Sequence, residues 1–131
     1  RLDCPLAIVD KRRQRANVCE VMNIIGDVRD KNVILVDDMI DTAGTLCNAA
    51  AAIVEKGGAK KVIAAATHAV LSGPAIDRLR ESVIENVVLL DTIALPEEKR
   101  LDKFTTLTVA PVFSEAIERI YEDKPVSIMF V

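Results

Sequence analysis

Four short apolar runs, Leu6–Val9, Val33–Val36, Val62–Ala66 and Val87–Leu90, recur along this chain without a polar residue inside any of them. Strands wetted on one face alternate apolar with polar residues, and none of these does. They read as strands of a parallel sheet covered on both faces. Leu107–Ala110 is a fifth candidate, Cys19–Ile25 a weaker, mixed one, and Val126–Phe130 reads as a terminal edge strand.

Segments of helical period lie between the runs. From Gly44 onward, Leu46, Ala49, Ala50, Ile53 and Val54 share one helix face, and Lys56, Gly57 and Gly58 supply a cation and a glycine stop. Ser72–Gly73–Pro74 opens the next helix with a capping hydroxyl and a first-turn proline, and Ile76 and Leu79 face inward. The last helix starts at Pro111 and is expected to bury Phe113, Ala116, Ile117, Ile120 and Tyr121. Strands alternating with such helices form βαβ units with right-handed crossovers. The expected fold is therefore one α/β domain over residues 1–131, with a doubly wound, mostly parallel sheet.

Composition narrows the function classes. Only 3% of the residues are aromatic and the net charge is −3, so neither stacking platforms nor a basic field favour nucleic acid. No uncharged apolar stretch approaches the roughly 18 residues of a membrane span, and no signal-peptide pattern opens the chain. Cys4, Cys19 and Cys47 show no CxxC spacing and there is one histidine, which argues against a zinc site or a disulfide scaffold. Free thiols in a reducing cytoplasm are the plain reading.

The run Val33–Val36 leads straight into Asp37 and Asp38, and then into Asp41, Thr42, Ala43, Gly44 and Thr45 at the start of a helix. In open parallel sheets, ligands bind at the carboxyl ends of strands near a helix N-terminus. The first N–H groups of that helix lack internal partners and its dipole favours an anion, so the small residues of this turn suit a phosphate. Two acids beside a phosphate cradle are reconciled by a ligand that is also a polyol. Its vicinal hydroxyls can donate to carboxylates, and Mg²⁺ can offset charge. A lone D-T-x-G-T is more often an ordinary helix cap. A Walker B reading fails because no G-x-x-x-x-G-K-[ST] is present. A second candidate is "DKRRQR", which places Lys11, Arg12, Arg13 and Arg15 after a strand candidate. As a bare charge run it is a solvated turn. As a site, it could stabilise charge moving between phosphate oxygens.

The stretch "ILVDDMIDTAGTL" resembles the phosphoribosyl-diphosphate signature shared by type I phosphoribosyltransferases and ribose-phosphate pyrophosphokinases. "LAIVDKRR" (Leu6–Arg13), "VMNIIGDV" (Val21–Val28), "THAVLSGPA" (Thr67–Ala75) and "LPEEKR" (Leu95–Arg100) resemble the second family, in order, so the likeness covers essentially the whole chain. The likeness is to the C-terminal half of that synthetase. It implies a type I phosphoribosyltransferase-like fold and an intact enzyme that transfers diphosphate from ATP to ribose 5-phosphate, giving 5-phosphoribosyl 1-diphosphate and AMP for nucleotide biosynthesis.

Residue by residue, the resemblance implies that Lys11 and Arg13 form a catalytic pair on a flap. Asp37 and Asp38 would meet the ribose, and Asp41, Thr42, Ala43, Gly44 and Thr45 the 5-phosphate. It further implies Mg²⁺ as cofactor, with no metal ligand assigned in this chain, a homohexamer, and a cytoplasmic setting without membrane or nucleic-acid partners. The family's N-terminal half supplies adenine contacts and metal ligands, so residues 1–131 alone are expected to be inactive. One departure stands out. Where family members carry "SVSxLF", part of an ADP/phosphate regulatory site, Pro125 replaces the first hydroxyl. The alternatives are a phosphoribosyltransferase and a non-catalytic regulatory paralogue of the synthetase.

Overall fold

The computed structural model describes residues 3–12 and 21–130. Arg13, Arg15 and Cys19 lie outside the described residues, and of Lys11 and Arg12 the backbone alone is described. Strand β1 (Ile8–Arg12) pairs antiparallel with β2 (Val21–Ile25), Ile8 opposite Ile25 and Arg12 opposite Val21. This hairpin is a sheet of its own. The second sheet holds β3 (Asn32–Ile40), β4 (Lys61–Ala69), β5 (Ile84–Leu90) and β6 (Phe104–Leu107) in sequence order, every pair parallel. Helices α1 (Gly44–Glu55) and α2 (Ala75–Glu81) make the crossovers, and α3 (Ala110–Tyr121) follows β6.

The core lies between the sheet and the two crossover helices. Leu46, Ala50 and Ile53 of α1 and Ala75 and Leu79 of α2 cluster with Val62, Ala64, Ala66, Val87 and Leu89, all buried. Alanines on α1 and β4 let helix and sheet approach closely, which is why so few aromatics are needed. Ala7, Val9 and Ile24 of the hairpin region and Val28 beyond it close the cluster on the α1 side. At the end of α1, a Cβ on Gly57 would lie 2.5 Å from both Ile53 O and Val28 Cγ2. Gly58, at φ +72°, then reverses the chain, as the Lys56–Gly57–Gly58 signal predicts.

The α/β class and the parallel pairing agree with the sequence, and several local expectations are corrected. Coverage of both sheet faces is not found among the described residues. Ile34 and Val36 are exposed at 49% and 74%, and Ile63, Ala65, Val88 and Leu90, whose neighbours along their strands are buried, are only half-buried. The residues at these positions are all apolar, so hydropathy does not show their alternation of accessibility. The first run is shifted: Leu6 is 83% exposed, and the strand runs on through Lys11 and Arg12, which stand in β1 rather than in a turn after it. Likewise β6 ends where the fifth run was expected to begin, and Ala110 already belongs to α3. Helix α3 starts on schedule with Pro111 in its first turn, yet Phe113, Ile117, Ile120 and Tyr121 are exposed and Ala116 is only half-buried. Its neighbour is the 3₁₀ turn Val126–Phe130, expected as a strand, and no second layer lies under its apolar stripe among the described residues. Short apolar runs do not distinguish strand from helical turn by period alone.

Candidate functional site

Strand β3 extends past the apolar run, so Asp37 and Asp38 are strand residues and the chain turns only at Asp41. Asp37, Asp38, Asp41, Thr42, Ala43, Gly44 and Thr45 line one open hollow of about 360 Å³. The sequence-marked cluster is thus a single concave surface at the carboxyl end of β3, where open parallel sheets bind ligands.

The turn owes its shape to ties behind it. Ala43 sits at φ 59°, ψ 1°, a left-handed conformation that a residue with a Cβ adopts rarely and only when its surroundings impose it. Ala43 is the N-cap residue of α1, and its carbonyl accepts the first helical bond, from Cys47 N–H at 3.0 Å. No side chain caps the helix. The N–H groups of Ala43, Gly44, Thr45 and Leu46 therefore stay available at the positive end of the helix dipole, an arrangement that accepts an anion.

The carboxylates differ in their engagements. Asp37 Oδ1 accepts the N–H of Asp38 at 2.9 Å. Asp41 accepts a hydrogen bond from the Ser72 hydroxyl, while Ser72 N–H donates to Asp41 O at 3.0 Å. Ser72 was expected to cap α2; its hydroxyl is instead spent on Asp41, and Pro74 takes the N-cap place without a side-chain bond. Asp38 has an exposed side chain lining the hollow.

His68 is exposed near the end of β4, with Nδ1 2.9 Å from Thr92 Oγ1. The Thr92 hydroxyl donates its one proton to Thr67 O at 2.6 Å, so it accepts from His68 Nδ1–H. Cys47 lies on α1 as a half-buried residue, and burial pushes its thiol up from the ordinary value. A larger and mainly apolar hollow, about 460 Å³, opens beyond β5 between Asp91, Leu95, Arg100 and Phe104. None of the candidate site residues reaches it, although it takes in Leu95 and Arg100, the two ends of the LPEEKR motif.

Two contacts were missed by sequence reasoning. Arg78 Nη1 donates to Thr42 O at 2.9 Å, and Lys103 Nζ donates to Leu79 O and Ile84 O, both at 2.8 Å. Each joins segments about twenty or more residues apart, and no local spacing announces such a contact.

A family model described as the phosphoribosyl synthetase-associated domain matches residues 9–131. The chain belongs to this family. Among relatives of this phosphoribosyl synthetase-associated domain is the ribose-phosphate pyrophosphokinase of Clostridium perfringens, 59% identical over 130 residues, 99% of this chain and 40% of the relative. The ribose-phosphate pyrophosphokinase of Caldanaerobacter subterraneus is 62% identical over 99% of this chain and 41% of its own length. The domain therefore spans about two fifths of the curated relatives it matches. A crystal structure of phosphoribosylpyrophosphate synthetase from Mycobacterium smegmatis matches it with a TM-score of 0.74 and 42% identity, over 79% of this chain and 34% of that one.

Among the described residues of the domain, no group of three or more His, Cys, Asp or Glu side chains is placed to hold a metal ion. Asp37 and Asp41 already accept bonds from within the chain. This donor set does not by itself fit a metal centre. No helix among the described residues is long and apolar enough to cross a membrane.

Proposed function

We propose that this domain is the C-terminal, ribose 5-phosphate-binding part of a ribose-phosphate pyrophosphokinase. The intact enzyme would transfer diphosphate from ATP to ribose 5-phosphate. The anomeric oxygen attacks the β-phosphorus, the bond from that phosphorus to the oxygen bridging to the α-phosphorus breaks, and AMP leaves with that oxygen. The acceptor hydroxyl yields its proton to water as 5-phosphoribosyl 1-diphosphate forms. No covalent enzyme intermediate is needed, so the protein's task is positioning and charge stabilisation.

The observation that carries this reading is the single hollow at the end of β3, with carboxylates on one part of its wall and uncapped helix N–H groups on another. In this reading the N–H groups of 43–46 and the hydroxyls of Thr42 and Thr45 hold the 5-phosphate. Asp37 and Asp38 accept from ribose hydroxyls and so orient the anomeric carbon, while Asp41 holds the turn through Ser72. Lys11 and Arg13 are assigned to the transferring diphosphate from the family resemblance; Lys11 stands in β1, one residue before its end, and Arg13 lies outside the described residues. Mg²⁺ belongs to the proposal as the counter-ion of ATP. Magnesium is typically held by one or two carboxylates together with substrate phosphates, and no step is assigned to it on this chain's residues. A homohexamer and a cytoplasmic setting, in which free Cys4 and Cys47 stay reduced, complete the reading.

The test is calorimetric titration of ribose 5-phosphate, with Mg²⁺ present, into the intact protein and its Asp37→Asn/Asp38→Asn variant. Two lost charge-assisted bonds should weaken binding by about two orders of magnitude. Equal affinity in both proteins refutes the site. The rival phosphoribosyltransferase would instead form nucleotides from 5-phosphoribosyl 1-diphosphate and free bases.

A further inference from the structure

We infer that Arg78 is a positioning residue for the phosphate-binding turn, acting through the peptide group that joins Thr42 to Ala43; this rests on the reading of the turn given above. Arg78 stands on α2, thirty-six residues from its acceptor, with an exposed side chain and two carboxylate neighbours in sequence, Asp77 and Glu81. Asp77 pairs instead with Arg80, at 2.5 Å. Arg78 turns back over the 42–45 segment and donates from Nη1 to Thr42 O at 2.9 Å.

Its backbone is fixed from two sides. Arg78 N–H donates to Pro74 O at 3.0 Å, and the Cys47 thiol lies 3.6 Å from Arg78 O. The next turn of α2 ends in carbonyls gripped by Lys103. The guanidinium is therefore carried by a short, well-anchored helix.

The geometry places Arg78 behind the turn rather than in the ligand hollow. That hollow is lined by residues 37–46 alone, whereas Arg78 lines a separate one with Gly44, Cys47, Asn48, Glu81 and Ser82. Gly44 is the wall between them. A Cβ on Gly44 would sit 3.1 Å from Arg78 Nη1, so the guanidinium packs directly against the turn's only glycine.

Two physical consequences follow. A charge-assisted bond to Thr42 O helps to hold the next residue, Ala43, in its left-handed conformation, which is disfavoured for any residue with a Cβ. The same bond polarises the Thr42–Ala43 peptide group, so its N–H becomes a stronger donor on the opposite side, the side that faces an anion. The remaining ties, Ser72 to Asp41 and Leu71 N–H to Ile40 O, hold the residues before this peptide and leave its carbonyl to Arg78.

The test compares Arg78→Met, Arg78→Lys and Thr45→Ala in the intact protein, by calorimetry with ribose 5-phosphate, steady-state kinetics, and hydrogen exchange of the ligand-free protein. Arg78→Met should weaken ribose 5-phosphate binding about tenfold, because loss of a charge-assisted bond lets the turn drift from its binding geometry. The KM for ATP should stay unchanged, and exchange at the amides of 43–46 should rise without ligand. Arg78→Lys, which keeps a charged donor, should recover most of both effects. If Thr45→Ala weakens binding and Arg78→Met does not, the positioning role is wrong and the site reading stands. Should neither variant change affinity, the site reading itself is wrong. If both Arg78 variants lose affinity with unchanged exchange at 43–46, Arg78 touches the ligand directly and the positioning role is overturned.

Discussion

Lys103 offers a quantitative test of how the fold is tied together. Its Nζ donates to Leu79 O and Ile84 O at 2.8 Å, with Ser82 O at 3.4 Å, and so closes the C-terminal end of α2 against the start of β5. Replacing it by methionine keeps the stem's packing and deletes the charge and its donors. Hydrogen bonds from a charged donor contribute about 1.5–3 kcal/mol each, and partial access of water to the freed carbonyls lowers that, so the net loss is about 2.5 kcal/mol. With a urea dependence of about 1.5 kcal/mol per molar for a chain of this size, the unfolding midpoint should fall by about 1.7 M. The assay is urea denaturation followed by far-UV circular dichroism, with the slope unchanged. Lys61→Met is the control: its partner Glu85 is at 2.6 Å, but the two side chains are 40% and 51% exposed, so the pair contributes little. A Lys103→Met midpoint no lower than that of Lys61→Met would refute the assignment of Lys103 as the clamp.

Gly57→Ala forces a Cβ into Ile53 O and Val28 Cγ2, and should destabilise the chain by about 2 kcal/mol in the same urea assay; an unchanged midpoint would mean that α1 ends differently. Asp91 is held below the usual carboxylate range by the Thr108 hydroxyl and then by Val109 N–H, whose bond to Oδ1 is 2.8 Å. A depressed folded-state value means that this contribution is present above the unfolded value and is lost as pH falls through the lower, folded one. Acid titration should therefore show a steeper loss of stability for the wild type than for Asp91→Asn, and parallel acid limbs would contradict the pairing.

The architecture was readable because its determinants are local. The continuous apolar cores of β3, β4 and β5, the 3.6-residue stripe of α1 and the glycine stop at Gly57–Gly58 each report on their own neighbourhood. The hollow at the end of β3 was readable for the same reason, since its lining is contiguous in sequence. What escaped was every arrangement that depends on distant partners. Ser72 looks like a helix cap until Asp41 is placed beside it, and Arg78 looks like a solvated charge until Thr42 O is placed under it. The stripe on α3 shows a helix that wants a partner, but not whether one is present. Accessibility across the sheet was hidden because apolar residues stand on its packed face and on its bare one.

The bare sheet face and the uncovered stripe of α3 have a thermodynamic signature. A domain of this length ordinarily takes up about 1.6–2.0 kcal/mol/K of heat capacity on unfolding, most of it from hydrating apolar groups that the fold had kept dry. Here Ile34, Val36, Phe113, Ile117 and Ile120 are largely in water before unfolding begins. Less new apolar surface is hydrated, so the heat-capacity change is smaller and the free-energy curve of the isolated chain is flatter with temperature. Its stability should then change little between cold and warm, at the cost of a lower maximum.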